Sequence, residues 1–165
     1  MELAFSLLKL GELDLSISLH STQPVPQPEW DRVLSRLRQL YGSGQLEPAR
    51  MRMLVVTAGG APDAFQRAQL NELWRGKLIK LGLIVPGTSD SAKRGVVTAL
   101  TWINPAVGVF TPDLFLRALT HLDLQRELAS IWSELCRLQQ QLVPNRTLQL
   151  VAEHAALALP ARRAQ

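Results

Sequence analysis

Residues 13–19 read LDLSISL and alternate strictly between apolar and polar side chains. Because successive side chains of a strand point to opposite faces, this pattern predicts a strand with one face in the core. Another apolar run, at residues 3–10, precedes it, and only Gly11 and Glu12 separate the two. A two-residue connection between strand-type runs predicts an antiparallel hairpin at the start of the chain.

Beyond the hairpin, strand-type and helix-type segments alternate. Helical spacing of apolar residues predicts a helix that begins near Pro28 and a further helix over residues 92–102. The runs 53–56 and 81–85 are apolar without alternation, which is typical of central strands in a parallel sheet. We therefore predict an α/β fold: a mostly parallel sheet with an antiparallel N-terminal hairpin, flanking helices and a C-terminal heptad helix.

The core of this sheet is expected to contain four strand residues, with four aromatic side chains packed on them from the helices. The strand residues are Leu54, Val56, Leu83 and Val85, and the aromatic residues are Trp30, Phe65, Trp74 and Trp102. Together they would form the centre of one α/β domain over residues 1–122.

A heptad stripe follows this domain, with apolar residues spaced alternately four and three apart. Its members are Leu124, Leu128, Ile131, Leu135, Leu138 and Leu142, with Trp132 beside them. Such a stripe must be buried, either on the chain's own sheet or against a second copy. We expect a seam between two chains, since a 3-4 spacing held this long suits helix–helix pairing. The chain is then a homodimer, with residues 123–165 as a C-terminal helical extension.

A second candidate site lies where strands meet helix starts. Gly59 and Gly60 stand between a strand and a helix, where backbone amides can hold an anion, although a tight turn also explains both glycines. Lys93 and Arg94 open another helix at the same end of the sheet, the carboxyl end, where ligands of open α/β sheets usually bind. Together with Thr57, these residues form a candidate site for a small anionic ligand, and ordinary solvated charges are the alternative interpretation.

Other classes of function are disfavoured by composition and spacing. The only cysteine is Cys136, which excludes an internal disulfide and fits a cytoplasmic protein. No histidine, cysteine or acid has metal-ligand spacing and no G-x-S-x-G motif is present, so we expect no catalytic residue, metal or cofactor. The net charge of +4 is scattered without interleaved aromatic residues, which argues against nucleic acid. No apolar stretch reaches about 20 residues, so no membrane span is expected.

Three short strings in residues 3–122 carry a resemblance to a known family. They are MLVVTAGG at 53–60, RGVVTALTW at 94–102 and VFTP at 109–112, set in the same order of strands and helices. The chain thereby resembles the STAS/SpoIIAA-like group of small regulatory domains, which is related more distantly to lipid-binding SEC14-type domains. The resemblance implies a non-enzymatic module of a bacterial signalling system that binds another protein.

The resemblance leaves two functions open. The first is a regulatory or scaffold module with a protein partner of unknown identity, self-associating through the C-terminal helix. The second is a binder of a lipid or small anionic ligand at the carboxyl end of the sheet. Family members switched by phosphorylation carry a serine at the start of the helix after a central strand, whereas Thr57 is the only hydroxyl in residues 57–63 here.

Overall fold

The computed structural model describes residues 1–86, 106–143 and 146–158. Its strands are β1 (Leu3–Leu10), β2 (Leu13–His20), β3 (Met51–Thr57), β4 (Lys80–Ile84) and β5 (Val107–Phe110). Its α-helices are α1 (Gln27–Gly42), α2 (Ala64–Trp74), α3 (Phe115–His121), α4 (Leu128–Gln139) and α5 (Arg146–Ala158). Short 3-10 turns lie at Pro48–Arg50, Pro112–Leu114 and Gln125–Glu127. The helix predicted over residues 92–102, with Trp102, lies outside the described residues.

The five strands form one sheet in the order β1-β2-β3-β4-β5. β1 pairs antiparallel with β2, and every later neighbour pair is parallel, so the predicted fold class is confirmed. Gly11 makes the hairpin turn with a φ of +59°, a conformation that glycine adopts at little cost. The register places Ser18 beside Val55 and Val55 beside Leu83, so rows of side chains cross the sheet on each face.

One face of the sheet is covered by α3, α4 and α5, which we call the C-terminal layer. Leu15, Ile17 and Leu19 of β2 point into this layer, and all three are fully buried. Leu54 and Val56 of β3 lie in the same cluster and are also fully buried, as the apolar run at 53–56 predicts. The side chains between them along each strand point to the opposite face.

The heptad stripe lies inside this C-terminal layer. Its buried members reach at most 9% exposure, and Leu128 and Trp132 pack partly buried against them; the buried ones are Leu124, Ile131, Leu135, Leu138 and Leu142. The expected seam between two chains is therefore wrong, because the sheet of the same chain already covers the stripe. Residues 124–142 also share one core with β2 and β3, so they complete the α/β domain rather than extend it.

The opposite face is covered by α1 and α2, which we call the crossover layer because they connect parallel strands. α1 buries Trp30, Leu34, Leu37 and Leu40, as its helical spacing predicts. The Glu29 carboxylate at its start accepts hydrogen bonds from two backbone N–H groups at the beginning of the chain, each at 2.9 Å. The first turn of α1 is thereby fixed to the edge strand β1.

α2 begins with a capping box that sets which side chains face inward. The Asp63 carboxylate accepts the Gln66 backbone N–H at 2.8 Å, and the Gln66 side chain accepts the Asp63 N–H at 3.1 Å. Gln66 is buried and its amide donates to the Val25 carbonyl at 2.9 Å. With Gln66 turned inward, Phe65 points outward and is 63% exposed, so the prediction that it packs on the sheet is wrong.

An ion-pair cluster ties the strands to the C-terminal layer. The Asp123 carboxylate accepts hydrogen bonds from Lys80 at 2.7 Å and Arg52 at 3.2 Å, which places β3 and β4 against the connection between α3 and α4. These interactions hold the pKa of Asp123 below its ordinary value. The hydrogen bond from Lys80 contributes most, and the charge of Lys80 and the hydrogen bond and charge of Arg52 add to it. Arg52 also donates to the Leu122 carbonyl at 3.1 Å.

Leu135→Glu is expected to unfold the protein. Truncating a buried leucine costs about 2–5 kcal/mol, and burying a carboxylate without a partner adds a desolvation cost to that. A domain is typically stable by about 5–15 kcal/mol, so the variant loses most of its stability. Urea unfolding followed by circular dichroism measures the loss. Ser133→Glu, on the exposed side of the same helix, is the control and should keep the wild-type midpoint. A native spectrum and midpoint for Leu135→Glu would contradict the packing of the stripe on the sheet.

Candidate functional site

A cavity of about 420 Å³ lies between the sheet and the crossover layer. Its floor is made of side chains from four strands that share one face of the sheet. They are Leu3 and Phe5 of β1, Ser18 and His20 of β2, Met53, Val55 and Thr57 of β3, and Leu81 and Leu83 of β4, with Val85 just beyond. On the opposite face, the C-terminal layer buries apolar side chains of β2 and β3 completely. Among the described residues, the two helix layers therefore cover the sheet unequally.

The partial exposure of Leu83 is direct evidence of this unequal cover. It was expected at the buried centre of the sheet, yet it is only half-buried, while Leu54 and Val56 on the other face are fully buried. Leu83 lies in the same row as Val55 and Ser18, and all three line the cavity. The strand assignment of Leu83 is confirmed, and its burial was overestimated because its side chain faces the cavity.

Helices α1 and α2 form the roof. α1 contributes Trp30, Val33 and Leu37, and α2 contributes Arg67, Leu70, Asn71 and Trp74. Roof and floor are thus mostly apolar, with Arg67 and Asn71 as the polar side chains of the roof. Such a lining, with few polar groups, is typical of small-molecule sites.

The cavity has a polar end, at the carboxyl ends of the parallel strands. His20 and Thr57 are the last residues of β2 and β3 and lie side by side in the register. Burial lowers the pKa of His20 from 6.5 to about 4, so its ring is neutral at physiological pH. The opposite end of the floor, around Met53 and Leu81, is apolar.

The loop after β3 closes this polar end. The Thr57 hydroxyl donates to the Gly60 carbonyl at 2.5 Å and accepts the Gly59 N–H at 3.0 Å. The Gly60 N–H donates to the Ser21 carbonyl at 2.8 Å. A side chain at Gly60 would overlap the carbonyl oxygens of Gln23 and Ser21, so the turn approaches the loop after β2 closely. Both glycines thus have a structural role in the turn.

The structure brings together only some of the residues of the predicted anion site. Thr57, Gly59 and Gly60 do come together, and all three line the cavity. The amides of Gly59 and Gly60 already donate within the protein, so in this conformation neither is available to an anion. Lys93 and Arg94 lie outside the described residues.

Arg67 lines the cavity, although its sequence pattern did not single it out as a site residue. It follows the capping box by one residue, which places it in the first turns of α2, near the loop that ends β3. Its guanidinium donates to the Pro62 carbonyl at 2.6 Å and lines the cavity. The signal in the sequence was the spacing Asp63-x-x-Gln66, because a capping box fixes the helix phase and hence the face on which Arg67 lies.

Buried polar atoms mark the crossover layer as the less complete one. Ser16, Trp30, Tyr41 and Trp74 each carry a buried side-chain polar atom with no hydrogen-bond partner among the described residues. All four lie on the cavity side of the sheet or in α1 and α2. These polar atoms lie beside the cavity or in the layer that covers it, so the crossover layer has a more polar interior than its helical spacing alone predicts.

Comparison with protein-family models, with curated proteins and with solved structures finds no match for this chain. In the described ranges, no three metal-ligating side chains come together. None of the helices described has both the length and the apolar character needed to cross a bilayer. The resemblance to STAS/SpoIIAA-like domains therefore stays a prediction, and any function has to be argued from the cavity.

The neutral His20 makes stability depend on pH. Its pKa is about 4 in the folded protein and 6.5 as the ordinary value, so protons favour the unfolded chain. Above pH 6.5 the ring is neutral in both states, and the free energy of unfolding keeps its full value. As the pH falls from 6.5 toward 4, protonation of the unfolded chain lowers the free energy of unfolding by about 3 kcal/mol. Urea unfolding at pH 7 and pH 4.5 should show a smaller acid loss for His20→Gln than for the wild type. His154→Gln, at an exposed position in α5, is the control. An equal acid loss in His20→Gln and the wild type would contradict the neutral buried ring.

Proposed function

We propose that this chain is a binding domain for a small amphipathic molecule, held in the cavity between the sheet and the crossover layer. The observation that carries the proposal is the cavity itself: about 420 Å³ of space over a mostly apolar floor, with His20, Thr57 and Arg67 near one end. This corresponds to the second function suggested by the sequence, a lipid or small-ligand binder at the carboxyl end of the sheet.

The size of the cavity fits a molecule with a short hydrocarbon chain. Ligand pockets in proteins usually enclose about 300–1,000 Å³, so this one is at the small end of the range. A water occupies about 30 Å³ in the liquid, which makes the cavity equivalent to roughly 14 waters. A chain of about ten carbons with a polar head matches that space.

The chemistry of the lining supports binding rather than catalysis. The Thr57 hydroxyl donates a hydrogen bond to the Gly60 carbonyl and accepts one from the Gly59 N–H, which fixes its orientation in the turn. The other groups offer apolar contact over Val55, Leu70 and Leu83. Burying the ligand's apolar surface contributes about 25 cal/mol per Å², which is sufficient to hold an amphiphile without a covalent step.

The wider expectations stay predictions beside this proposal. A cytoplasmic location fits the lone cysteine, which is half-buried in α4. The regulatory role with a protein partner has no supporting observation on the described surface. A ligand-binding domain is compatible with such a role, because a ligand that stabilises the folded state can also change its affinity for a partner.

Decanol should stabilise the wild-type protein against heat. At a concentration near 100 times Kd, binding to the native state stabilises by about 2.7 kcal/mol, or roughly 5–10 °C in Tm for a chain of this size. Leu83→Trp fills the centre of the cavity and should abolish the shift while the protein remains folded. Leu116→Trp adds the same ring at a position in α3 that is 41% exposed, and should keep it. The proposal fails if decanol gives no shift in the wild type, or an equal shift in Leu83→Trp.

A further inference from the structure

The cavity lining contains a single charged side chain among the described residues, Arg67. The described lining residues include no aspartate or glutamate. A guanidinium has five N–H donors, and the hydrogen bond that Arg67 makes in the structure goes to the Pro62 carbonyl. The described carboxylates that form ion pairs all do so with other cations. Among the described residues, no salt bridge therefore neutralises the positive charge at the cavity wall.

The position of Arg67 gives the cavity a direction. α2 starts where β3 has ended, so its first turns lie over the carboxyl edge of the sheet, close to Thr57 and the Gly59–Pro62 loop. Trp74 ends α2 and lies over the other edge, where β4 begins. A molecule with its charge at Arg67 thus has an apolar floor of Val55 and Leu83 ahead of it.

Charge balance selects the head group. Among the described lining residues, a monoanion balances the one positive charge of Arg67, and a carboxylate matches the two-pronged geometry of the guanidinium. A phosphate monoester carries about −1.5 to −2 at neutral pH and would leave part of its charge uncompensated in an apolar cavity. The neutral ring of His20 supplies no second positive charge. A cation would meet Arg67 without any acid to hold it.

We infer that the ligand is a fatty acid of about ten carbons, whose carboxylate is bound by Arg67 and whose chain extends over Val55 and Leu83 toward Trp74. The inference rests on the proposed function, since it names the ligand class of the same cavity. It adds a specific role for Arg67 and excludes neutral, dianionic and cationic amphiphiles as the preferred ligands.

The test compares decanoate, decanol and decyl phosphate by isothermal titration calorimetry on the full chain. Wild-type protein should bind decanoate at least tenfold more tightly than decanol, because a charge-assisted pair is added to the same chain contacts. Arg67→Met keeps the apolar stem of the side chain. It should lower decanoate affinity by about tenfold or more and leave decanol affinity unchanged. Arg126→Met, at an exposed position outside the cavity, is the matched control and should change neither.

Each other outcome has a defined meaning. Unchanged decanoate affinity in Arg67→Met, with decanol still bound, would overturn the role of Arg67 and leave the proposed function standing. Loss of both ligands in that variant would also overturn it, since Arg67 would then support the cavity wall. Tighter binding of decyl phosphate than of decanoate would overturn the choice of head group. Wild-type protein that binds none of the three would refute the proposed function, and the inference with it.

Discussion

The structure depends on a sheet that must be covered by helices on both faces. β2 and β3 lie between the two helix layers, and side chains on both faces of these strands are buried. On one face, the C-terminal layer buries side chains such as Ile17 and Leu54 completely. The polar residues that alternate along β2, including Ser18 and His20, face the other layer and are buried as well. The second face is therefore both buried and partly polar.

Among the described residues, the two faces of the sheet are covered unequally, and the cavity lies on the less covered face. The C-terminal layer packs a continuous apolar stripe onto the sheet. In the crossover layer, α2 is fixed at its start by a capping box, and its roof residues, such as Leu70 and Trp74, are only half-buried. The small side chain of Ser18 lies on the floor below that roof. This space is the one in which we propose that a ligand binds.

Local patterns in the sequence predicted the framework, and long-range packing decided the site. The hairpin and the buried stripe of α1 follow from periodicity and turn residues alone. The stripe through Leu135 was misassigned because a 3-4 spacing is the same whether a helix packs on a sheet or on another helix. Phe65 was misplaced because the inward turn of Gln66 sets the rotation of α2. Arg67 was missed for a related reason: its importance comes from the strands beneath it, which no window along the chain contains.

The central claim is that an amphiphile occupies the cavity under α1 and α2, and methyl-resolved NMR tests it most directly. With methyl-labelled protein and protonated decanoate, the account predicts intermolecular NOEs from the alkyl chain to the methyl groups of Val55, Leu70 and Leu83. It predicts none to Leu135, which lies in the core of the C-terminal layer. NOEs confined to exposed methyl groups such as those of Leu116, or arising within the C-terminal layer, would contradict the account.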